Sequence, residues 1–538
     1  MNPKAIHPII YVRGYAMTQN EIEETVADPY MGFNVGSCKV RQLWDGQVKK
    51  YYFESPLVRL IKEPYGYDDV YLEGVDQVSD QQTPTEAVPY RSIVIYRYYE
   101  PSSKDLGSGD KPNIEKFAKG LNDLILRLRD RMFPAGTKPS ADEIAAGKPA
   151  SRDDFKVYLV AHSMGGLVCR SFLQNPALGD SKTRSLVDKV FTYATPHNGI
   201  DVAGVNVPDW LSLYGMNNFN RSQIAKLLAL KTADRDGDAV DIVTNFDFDR
   251  MFNLVGTNPG DYKVAGGLSS MGAGEASDGL VRIPNATTRG WVGNKLVSSP
   301  QAFVHRSHSG YYGIVNSEEG FQNMVRFFFG DIRADGYLDI DELTLPPTIA
   351  KEYDAGKEVR ASYLFETVVS VRGKQWQLHR RTGNENSAIF RRFDDLFPKK
   401  SAKAADRKPD RASSPLLFNV FLDRGQRIDP TRPSMAFALD LCVRVPEYTV
   451  DGFLFLKNHF EGSYLFRDLI MIEATPPATA KDDWKVAYGF ASNAGQALKQ
   501  ATMTKEKDGA LTFSVPIEQP KAPGIKAILR IVTRFWNQ

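Results

Sequence analysis

Two different periods of hydrophobic and polar residues divide the chain near residue 330. In the first part, runs rich in β-branched and aromatic residues alternate with segments of helical period. The runs that predict strands are Pro8 to Val12, Ser92 to Tyr99, Phe155 to Ser163 and Lys189 to His197. The clearest helix is predicted by apolar residues at helical spacing, namely Ile114, Phe117, Leu121, Leu124, Ile125 and Leu128. Buried strands that alternate with helices indicate an α/β fold with a mostly parallel central sheet.

Two segments interrupt this alternation. Pro134 to Asp154 is rich in Gly, Pro, Ala and Ser and predicts a loop. Residues 200–262 form a long insertion with an apolar, aromatic cluster at Trp210, Leu211, Leu213, Tyr214, Met216 and Phe219. A long segment of this kind can be a lid over an active site or a helix packed on the core. The pattern fits both interpretations equally.

After Gly330 the chain shows many short alternating runs separated by turn residues, and helical period is scarce. This pattern predicts a C-terminal all-β domain, sandwich-like with two sheets. We therefore expect an α/β domain at residues 1–332, with the lid-like insertion around 200–262, and a β domain at 333–538. Within the latter, Pro398 to Ser414 is polar and basic. A solvated loop is the favoured interpretation, and a basic patch facing anionic lipid is the alternative.

Composition limits the class of protein and its surroundings. The formal net charge of +2 gives no basic excess for nucleic acid, and no nucleic-acid recognition motif is present. Cys38, Cys169 and Cys442 are too few and too scattered for a disulfide framework, which fits a reducing compartment. The N-terminal apolar run is too short for a signal peptide, and no run suggests a transmembrane segment. We expect a cytoplasmic protein, or one exported by a route that does not use a signal peptide.

The strongest chemical signal is Ala161-His162-Ser163-Met164-Gly165, where a predicted strand ends and a predicted helix begins. A serine in a G-x-S-x-G frame sits on the sharp turn called the nucleophile elbow. Ala161 replaces the first glycine, and alanine is the smallest replacement. Ser163 is therefore predicted to be a nucleophile, which needs a base and a carboxylate that orients the base.

In this arrangement the acid follows the serine in the chain and the histidine comes last. Asp278, in EASDGLVRI, follows the strand-like run Tyr262 to Gly267 and is the candidate acid. Since Asp-Gly is also a common turn pair, the alternative is an aspartate that only shapes a turn. Chain order and position favour the catalytic interpretation.

The base is sought among seven histidines. His7 and His162 precede the serine, and His197 comes before the candidate acid in the chain. His379 and His459 belong to the predicted β domain. These five are therefore excluded as the base. His162 is expected to point away from the serine because it lies next to it on a strand end, and His197 is expected to order a loop. Of the remaining pair, His308 is favoured over His305 because it directly precedes the last helix of this part.

The oxyanion of the reaction needs two preorganised N–H donors. One is predicted to be the backbone N–H of Met164, which follows the nucleophile. The other is predicted in the loop after the first strand, at the backbone N–H of Tyr15.

These pieces together resemble the lipases and esterases of the α/β-hydrolase superfamily. The matching segments are IIYVRGYAM, LVAHSMGGLVCR, TYATPHNGID, SDGLVRI and SHSGYYGIVN, spread over residues 7–330. The TYATPHNGID segment is similar to that of the PGAP1-like group. Arg13 stands where that superfamily usually has a histidine. The resemblance implies hydrolysis of carboxylic esters, commonly of lipids.

The expected function is a serine hydrolase that cleaves lipid or phospholipid acyl esters through an acyl-enzyme, without a metal or organic cofactor. The partners expected are the ester or lipid substrate and, at the periphery, a lipid surface. An acyltransferase with the same triad and an inactive hydrolase fold that serves as a binding module remain alternatives. Asp331 to Glu342 resembles a calcium loop, but Arg333 would repel the cation, so this segment is predicted to be the first strand of the β domain.

Overall fold

The computed structural model describes residues 6–16, 19–36, 38–52, 54–69, 88–105, 107–109, 113–202, 205–206, 219–260, 276–310, 312–357, 359–398, 408–427, 431–451, 457–477 and 483–537. The chain divides into two compact units. The first comprises Met1–Gln301 and His305–Phe329, and the second comprises Ala302–Val304 and Gly330–Gln538.

The elements up to residue 329 alternate between strands and helices. The strands are β1 (Ile9–Val12), β2 (Cys38–Gln42), β3 (Val48–Tyr52), β4 (Asp68–Asp69), β5 (Ser92–Ile95), β6 (Val157–His162), β7 (Val187–Tyr193), β8 (Asp201–Val202), β9 (Val205–Asn206), β10 (Met251–Gly256), β11 (Arg289–Val292), β12 (Lys295–Ser298) and β13 (Gln301–Val304). The helices are α1 (Gln19–Ala27), α2 (Pro56–Ile61), α3 (Ile114–Met132), α4 (Ala141–Ala145), α5 (Met164–Gln174), α6 (Ser181–Ser185), α7 (Arg221–Leu227) and α8 (Glu318–Phe329).

The central sheet of the first unit contains β10, β7, β6, β1, β5 and β4 in that order, and each neighbouring pair is parallel. Strands β1 and β10 are buried along their whole length, as strands covered by helices on both faces should be. Helix α3 is capped by the Asn113 side chain and buries all six of the predicted apolar positions. The predicted α/β architecture is confirmed.

The carboxyl ends of parallel strands meet at one edge of a sheet, where ligands and catalytic groups gather. The loop after β1 contains Arg13 to Ala16, and Ser163 directly follows β6. The chain between β10 and β11 contains Asp278. All the residues with predicted chemical roles therefore lie in the first unit. They follow strands of this sheet or, in the case of His308, come before helix α8.

Three local predictions differ from the structure. The strand predicted at Ser92 to Tyr99 ends at Ile95, because Tyr98 and Tyr99 turn toward the loop after β1 and bind it through their hydroxyls. The strand predicted to reach His197 ends at Tyr193. The loop predicted at Pro134 to Asp154 contains helix α4, which is stabilised by a capping box between Ser140 and Glu143.

Part of the predicted insertion is not described. Phe219 is buried. The other residues of the aromatic cluster lie outside the described residues, as does the strand-like run before Asp278; they are Trp210, Leu211, Leu213, Tyr214, Met216 and Tyr262 to Gly267.

The second unit is built from long antiparallel strands. They are β14 (Ile332–Thr344), β15 (Val359–Val371), β16 (Gln377–Arg381), β17 (Ile389–Arg392), β18 (Leu416–Leu422), β19 (Met435–Asp451), β20 (Lys457–Thr475), β21 (Lys485–Phe490), β22 (Lys499–Gln500), β23 (Thr502–Lys505), β24 (Leu511–Gln519) and β25 (Gly524–Phe535), with helices α9 (Pro347–Asp354) and α10 (Phe393–Leu396). One sheet has the order β18-β14-β25-β24-β23. The other has the order β16-β15-β19-β20-β21-β22, with β17 paired to β15.

Apolar side chains from both sheets, such as Leu338, Phe365, Leu439 and Leu529, belong to one buried cluster. This arrangement confirms the predicted all-β region. The segment that resembles a calcium loop lies in β14, so its prediction as a strand is also confirmed.

Candidate active site

Ser163 occupies the turn between β6 and α5. Its φ of 52° and ψ of −126° are sterically unfavourable for a residue with a Cβ, and its side chain is only 5% exposed. The turn is held because the Ser163 N–H donates to the Tyr193 carbonyl and its own carbonyl accepts from the Gly166 N–H. A strained turn that the surrounding structure fixes presents the serine hydroxyl at the carboxyl edge of the sheet.

Three glycines leave room for this turn. A Cβ on Gly165 would lie 2.3 Å from the Val12 carbonyl oxygen, and a Cβ on Gly166 would lie 2.2 Å from the Thr195 hydroxyl oxygen. A Cβ on Gly14 would lie 2.8 Å from the Ser163 Cβ. The loop after β1 and the turn after β7 therefore approach Ser163 and the start of α5 so closely that none of the three positions has room for a side chain.

His308 lies beside the serine. Its Nε2 is 2.9 Å from the Ser163 Oγ, and its Nδ1 is 2.9 Å from the Asp278 Oδ2. The His308 and Asp278 side chains are buried, and the His308 backbone N–H also donates to the Asp278 carbonyl at 2.9 Å. The structure thus brings together the three side chains selected from the sequence. His305, the other candidate base, is exposed on the chain just after β13.

Asp278 performs two structural tasks with its two carboxylate oxygens. Oδ1 accepts from the backbone N–H groups of Leu280 and Val281, at 3.0 and 2.8 Å, and so shapes the turn. Oδ2 faces the His308 ring. The two interpretations that the sequence left open, a turn residue and a partner of the histidine, are compatible because each uses a different oxygen.

His162 does not point away from the site as expected. Its Nε2 lies 3.0 Å from the His308 backbone carbonyl, and the two rings are 5.0 Å apart between centroids. Since a carbonyl oxygen only accepts, Nε2 carries the proton and donates it. Burial and the neighbouring His308 ring lower the pKa of His162 well below its ordinary value. His162 is therefore a neutral donor that fixes the backbone of His308.

The loop predicted to supply an oxyanion donor is held on both sides of Tyr15. The Tyr98 hydroxyl donates to the Arg13 carbonyl, and the Tyr99 hydroxyl accepts from the Ala16 N–H at 2.9 Å. Gly14, the residue before Tyr15, lies against Ser163, since a Cβ on Gly14 would be 2.8 Å from the Ser163 Cβ. Met164 is the first residue of α5, so its N–H lies at the amino end of that helix. Tyr98 and Tyr99 escaped the sequence analysis because their aromatic pattern matched that of a strand.

Arg13, which replaces the usual histidine of the resembling enzymes, has a visible structural role. Its guanidinium donates to the Met31 carbonyl. It also lies against Gly32, whose φ of 85° and missing side chain leave space for it, since a Cβ there would be 2.5 Å from Arg13 Nη1. The arginine thereby ties the segment after α1 to the loop that follows β1.

Arg170 is a further residue that the sequence analysis missed. It is fully buried in α5, and its guanidinium donates to the carbonyls of His197, Val240 and Ile242 at 2.9 to 3.0 Å. Burial lowers the pKa of Arg170 to about 10. The His197 ring in turn lies 3.1 Å from the Thr192 hydroxyl. Together they anchor the turn after β7 to the helix that starts at the nucleophile, in line with the loop-ordering role expected of His197.

The parallel sheet with its helices and the turn at Ser163 give the first unit the architecture of an α/β-hydrolase fold. Residues 113–243 match the family described as a PGAP1-like alpha/beta domain, which confirms the resemblance seen in the motifs. The match includes Ser163 and ends before Asp278 and His308. No curated protein matches this chain.

Among solved structures, the product of gene lin2722 from Listeria innocua is 12% identical, with 60% of this chain and 93% of that chain covered and a TM-score of 0.24. This similarity is too low to support a conclusion. Among the described residues, no cluster of three or more His, Cys, Asp or Glu side chains could hold a metal ion. No helix in the described ranges is both long and apolar enough to cross a bilayer.

Proposed function

We propose that this protein is a serine hydrolase that cleaves carboxylic esters, with Ser163 as nucleophile, His308 as general base and Asp278 as the residue that orients the base. The observation that supports this most is the continuous chain of contacts from Ser163 Oγ through the His308 ring to Asp278 Oδ2, with 2.9 Å at each step. That order of hydroxyl, imidazole and carboxylate activates an otherwise weak nucleophile.

In the first half of the reaction, Ser163 Oγ bonds to the ester carbonyl carbon while its proton moves to His308 Nε2. Asp278 accepts from Nδ1–H and stabilises the imidazolium that forms. The negative oxygen of the tetrahedral intermediate is bound by the backbone N–H groups of Met164 and Tyr15. When the intermediate collapses, the C–O bond to the alcohol breaks and His308 returns the proton to the leaving alcohol.

In the second half, water replaces the alcohol. His308 takes a proton from the water as the water oxygen bonds to the acyl carbon. When the second tetrahedral intermediate collapses, the bond from the acyl carbon to Ser163 Oγ breaks, His308 returns the proton to Oγ, and the carboxylic acid leaves. The hydrogen bond from the His308 backbone N–H to the Asp278 carbonyl holds the two residues together through both halves. The ring itself is oriented by its contacts with Ser163 Oγ and Asp278 Oδ2, since rotation would break one of them.

The substrate class that we propose is acyl esters of lipids or phospholipids. The PGAP1-like match and the lipase-like motifs support this class. Apart from the buried Phe219, the aromatic cluster of the insertion lies outside the described residues, so the preferred acyl chain length is best measured directly. A panel of p-nitrophenyl esters of increasing acyl length, followed by phospholipids with different head groups, identifies the preferred acyl chain. A preference for amides over every ester would contradict the proposed class.

Covalent labelling with a fluorophosphonate probe tests the nucleophile. The folded wild-type protein should be labelled at Ser163, and Ser163→Ala should not be labelled, since the probe reacts only with an activated serine. Peptide mapping by mass spectrometry locates the adduct. If the wild-type protein is folded, as a cooperative thermal transition shows, and still takes up no label, the proposal that it is a serine hydrolase is refuted.

A matched pair of histidine variants tests the base. His308→Ala should lower kcat for a p-nitrophenyl ester by several orders of magnitude, because Ser163 then has no proton acceptor. His305→Ala, three residues before His308 and exposed, should retain nearly full activity. The reverse result would move the base to His305 and overturn the proposed triad.

A further inference from the structure

The hairpin formed by β2 and β3 presents an unusual surface. Its four-residue tip is Leu43-Trp44-Asp45-Gly46, closed by hydrogen bonds from Leu43 N–H to the Gln47 carbonyl and from Gly46 N–H to the Leu43 carbonyl. Trp44 at this tip is 99% exposed, and Leu43 beside it is 42% exposed. A large indole held fully in water at the end of an ordered turn is costly unless something covers it.

The strands of the hairpin add aromatic and basic side chains. Arg41 and Lys49 are direct partners in the ladder and therefore lie on the same face, which Tyr51 shares two residues further on. The Lys49 ammonium lies 5.7 Å from the centre of the Tyr51 ring. The sequence of residues 38–52 contains four Lys or Arg and one Asp, a local charge of +3 in a chain whose total is only +2.

The segments that flank the hairpin in the sequence make contacts near the candidate active site. On the side of β2, Phe33 packs against Tyr11 at 4.8 Å between ring centroids, and Arg13 binds the Met31 carbonyl next to the oxyanion loop. On the side of β3, Arg59 of α2 pairs with Glu318 at 2.6 Å. Glu318 begins the helix that follows the His308 loop. The chain before and after the hairpin is therefore fixed to β1, to the loop that follows β1 and to the helix after the His308 loop.

We propose that this hairpin is an interfacial anchor that inserts Trp44 into a lipid surface bearing anionic headgroups and so holds the carboxyl edge of the sheet at that surface. The anchor rests on the proposed lipid-ester activity for its purpose, and it specifies the surface on which that activity takes place. Tryptophan and tyrosine favour the boundary between headgroups and acyl chains, and lysine and arginine are attracted by anionic lipid.

The chemistry of the hairpin favours a lipid surface over a protein partner. Arg41, Lys49 and Tyr51 surround an apolar tip with groups that suit the headgroup layer. A second hairpin of the first unit, β11 and β12, provides an internal comparison. Its Trp291 is 43% exposed, but the indole N–H donates to the Asp234 carbonyl, so this ring is fixed against the protein.

Co-sedimentation of the full-length protein with phospholipid vesicles tests the anchor. Vesicles of phosphatidylcholine with roughly 30% phosphatidylglycerol should bind the protein, and pure phosphatidylcholine should bind it less. Trp44→Ala should weaken binding on the order of tenfold. The double variant Arg41→Gln with Lys49→Gln should weaken binding to the anionic vesicles at least as much, and should leave binding to pure phosphatidylcholine unchanged. Trp291→Ala is the matched control and should bind like wild type.

Two further measurements separate the anchor from the proposed reaction. Ser163→Ala should bind vesicles like wild type, and Trp44→Ala should hydrolyse a water-soluble p-nitrophenyl ester like wild type. If the wild-type protein takes up no fluorophosphonate but binds vesicles in a Trp44-dependent way, the proposed function is refuted and the anchor stands. Vesicle binding that is absent in wild type, or equal in Trp44→Ala and Trp291→Ala, would overturn the anchor and direct attention to a protein partner.

Discussion

The carboxyl edge of the parallel sheet and the core of the antiparallel unit are both buried, but they bury different chemistry. At the sheet edge, Ser163, Asp278 and His308 are almost inaccessible, and each is bound to the next by hydrogen bonds. In the second unit, the corresponding volume between the sheets is filled by side chains such as Leu439 and Phe365. A buried polar cluster requires fixed partners, whereas an apolar core requires volume and shape.

Two buried histidines show this difference most clearly. Both ring nitrogens of His308 have a partner at 2.9 Å. For His379 in β16, neither ring nitrogen has a hydrogen-bond partner among the described residues. Burial, with a smaller contribution from Arg381, lowers the pKa of His379 to about 3. Burial therefore favours the neutral ring at His379, whereas the ring of His308 is held between the Ser163 hydroxyl and the Asp278 carboxylate.

The largest expected effect is on kcat, and it should separate two buried aspartates, one in each unit. Asp278→Asn should lower kcat by about 10⁴-fold, because the amide cannot stabilise the imidazolium or hold the correct tautomer. Asp335→Asn, at a residue that binds Arg333 and Asn419 in the second unit, should lower thermal stability and leave kcat unchanged. Steady-state kinetics and thermal melting of both variants check this. Equal loss of kcat in both would erase the distinction between the units.

A cavity in the antiparallel unit should affect stability only. Leu439→Ala removes a fully buried side chain of β19 and should cost about 2–5 kcal/mol of unfolding free energy. Met471→Ala, at a 38% exposed position of β20, should cost much less and is the control. Urea denaturation gives the free energies, and kcat per folded molecule should be unchanged. A fall in kcat for Leu439→Ala would mean that the second unit supports the reaction.

Within the site, the neutral donor beside the base should matter less than the aspartate. His162→Leu removes the hydrogen bond to the His308 carbonyl and should lower kcat roughly 10- to 100-fold through misplacement of the ring, with little change in KM. His162→Gln keeps an N–H donor and should recover part of the loss. Were both variants to retain full kcat, His162 would be a packing residue only.

The remaining effects are on the dependence of stability on pH, and the two units should respond in separate pH ranges. Burial lowers the pKa of Lys189, in β7, from 10.5 to about 7, although Asp188 opposes the shift. The unfolded lysine keeps its proton to higher pH than the folded one, so the stability of the first unit should rise from pH 7 to 10.5. Lys189→Met should flatten this rise in denaturant titrations at several pH values.

For His379 the corresponding rise should lie between pH 3 and 6.5, because the folded ring loses its proton at about 3 and the unfolded ring at 6.5. His379→Phe should remove the part of acid sensitivity that comes from this ring. The activity of the folded protein should be unaffected. If His379→Phe unfolds at the same acidity as wild type, other groups control the acid response of the second unit.

The sequence predicted the elements whose period is strong and the residues whose order along the chain is diagnostic. Helix α3 and strand β6 were predicted because burial on one face, or on both, leaves a regular pattern. Helix α4 and the early end of β5 were missed. Helix α4 depends on a capping box over a few residues, and β5 ends where two tyrosines bind a loop more than 80 residues away in sequence. Neither kind of hydrogen bond produces a hydrophobic period.

The candidate site was predictable as a set of residue types but not as a geometry. Chain order selected Ser163, Asp278 and His308, and the structure brings these three together. The contacts of His162 and Arg170 depend on segments distant in sequence, so neither role could be inferred from neighbours along the chain. The long reach of a buried arginine to three carbonyls leaves no signature in the sequence.

The contacts of Ser163 also connect distant parts of the chain. Ser163 and His308 are 145 residues apart, and His308 and Asp278 are 30 residues apart. Contacts of such separation form late in folding, since the intervening loops must close first. The onset of fluorophosphonate labelling during refolding should therefore report when Ser163, His308 and Asp278 come together. During refolding, labelling should appear only once the last helix of the first unit has docked, after secondary structure is already complete.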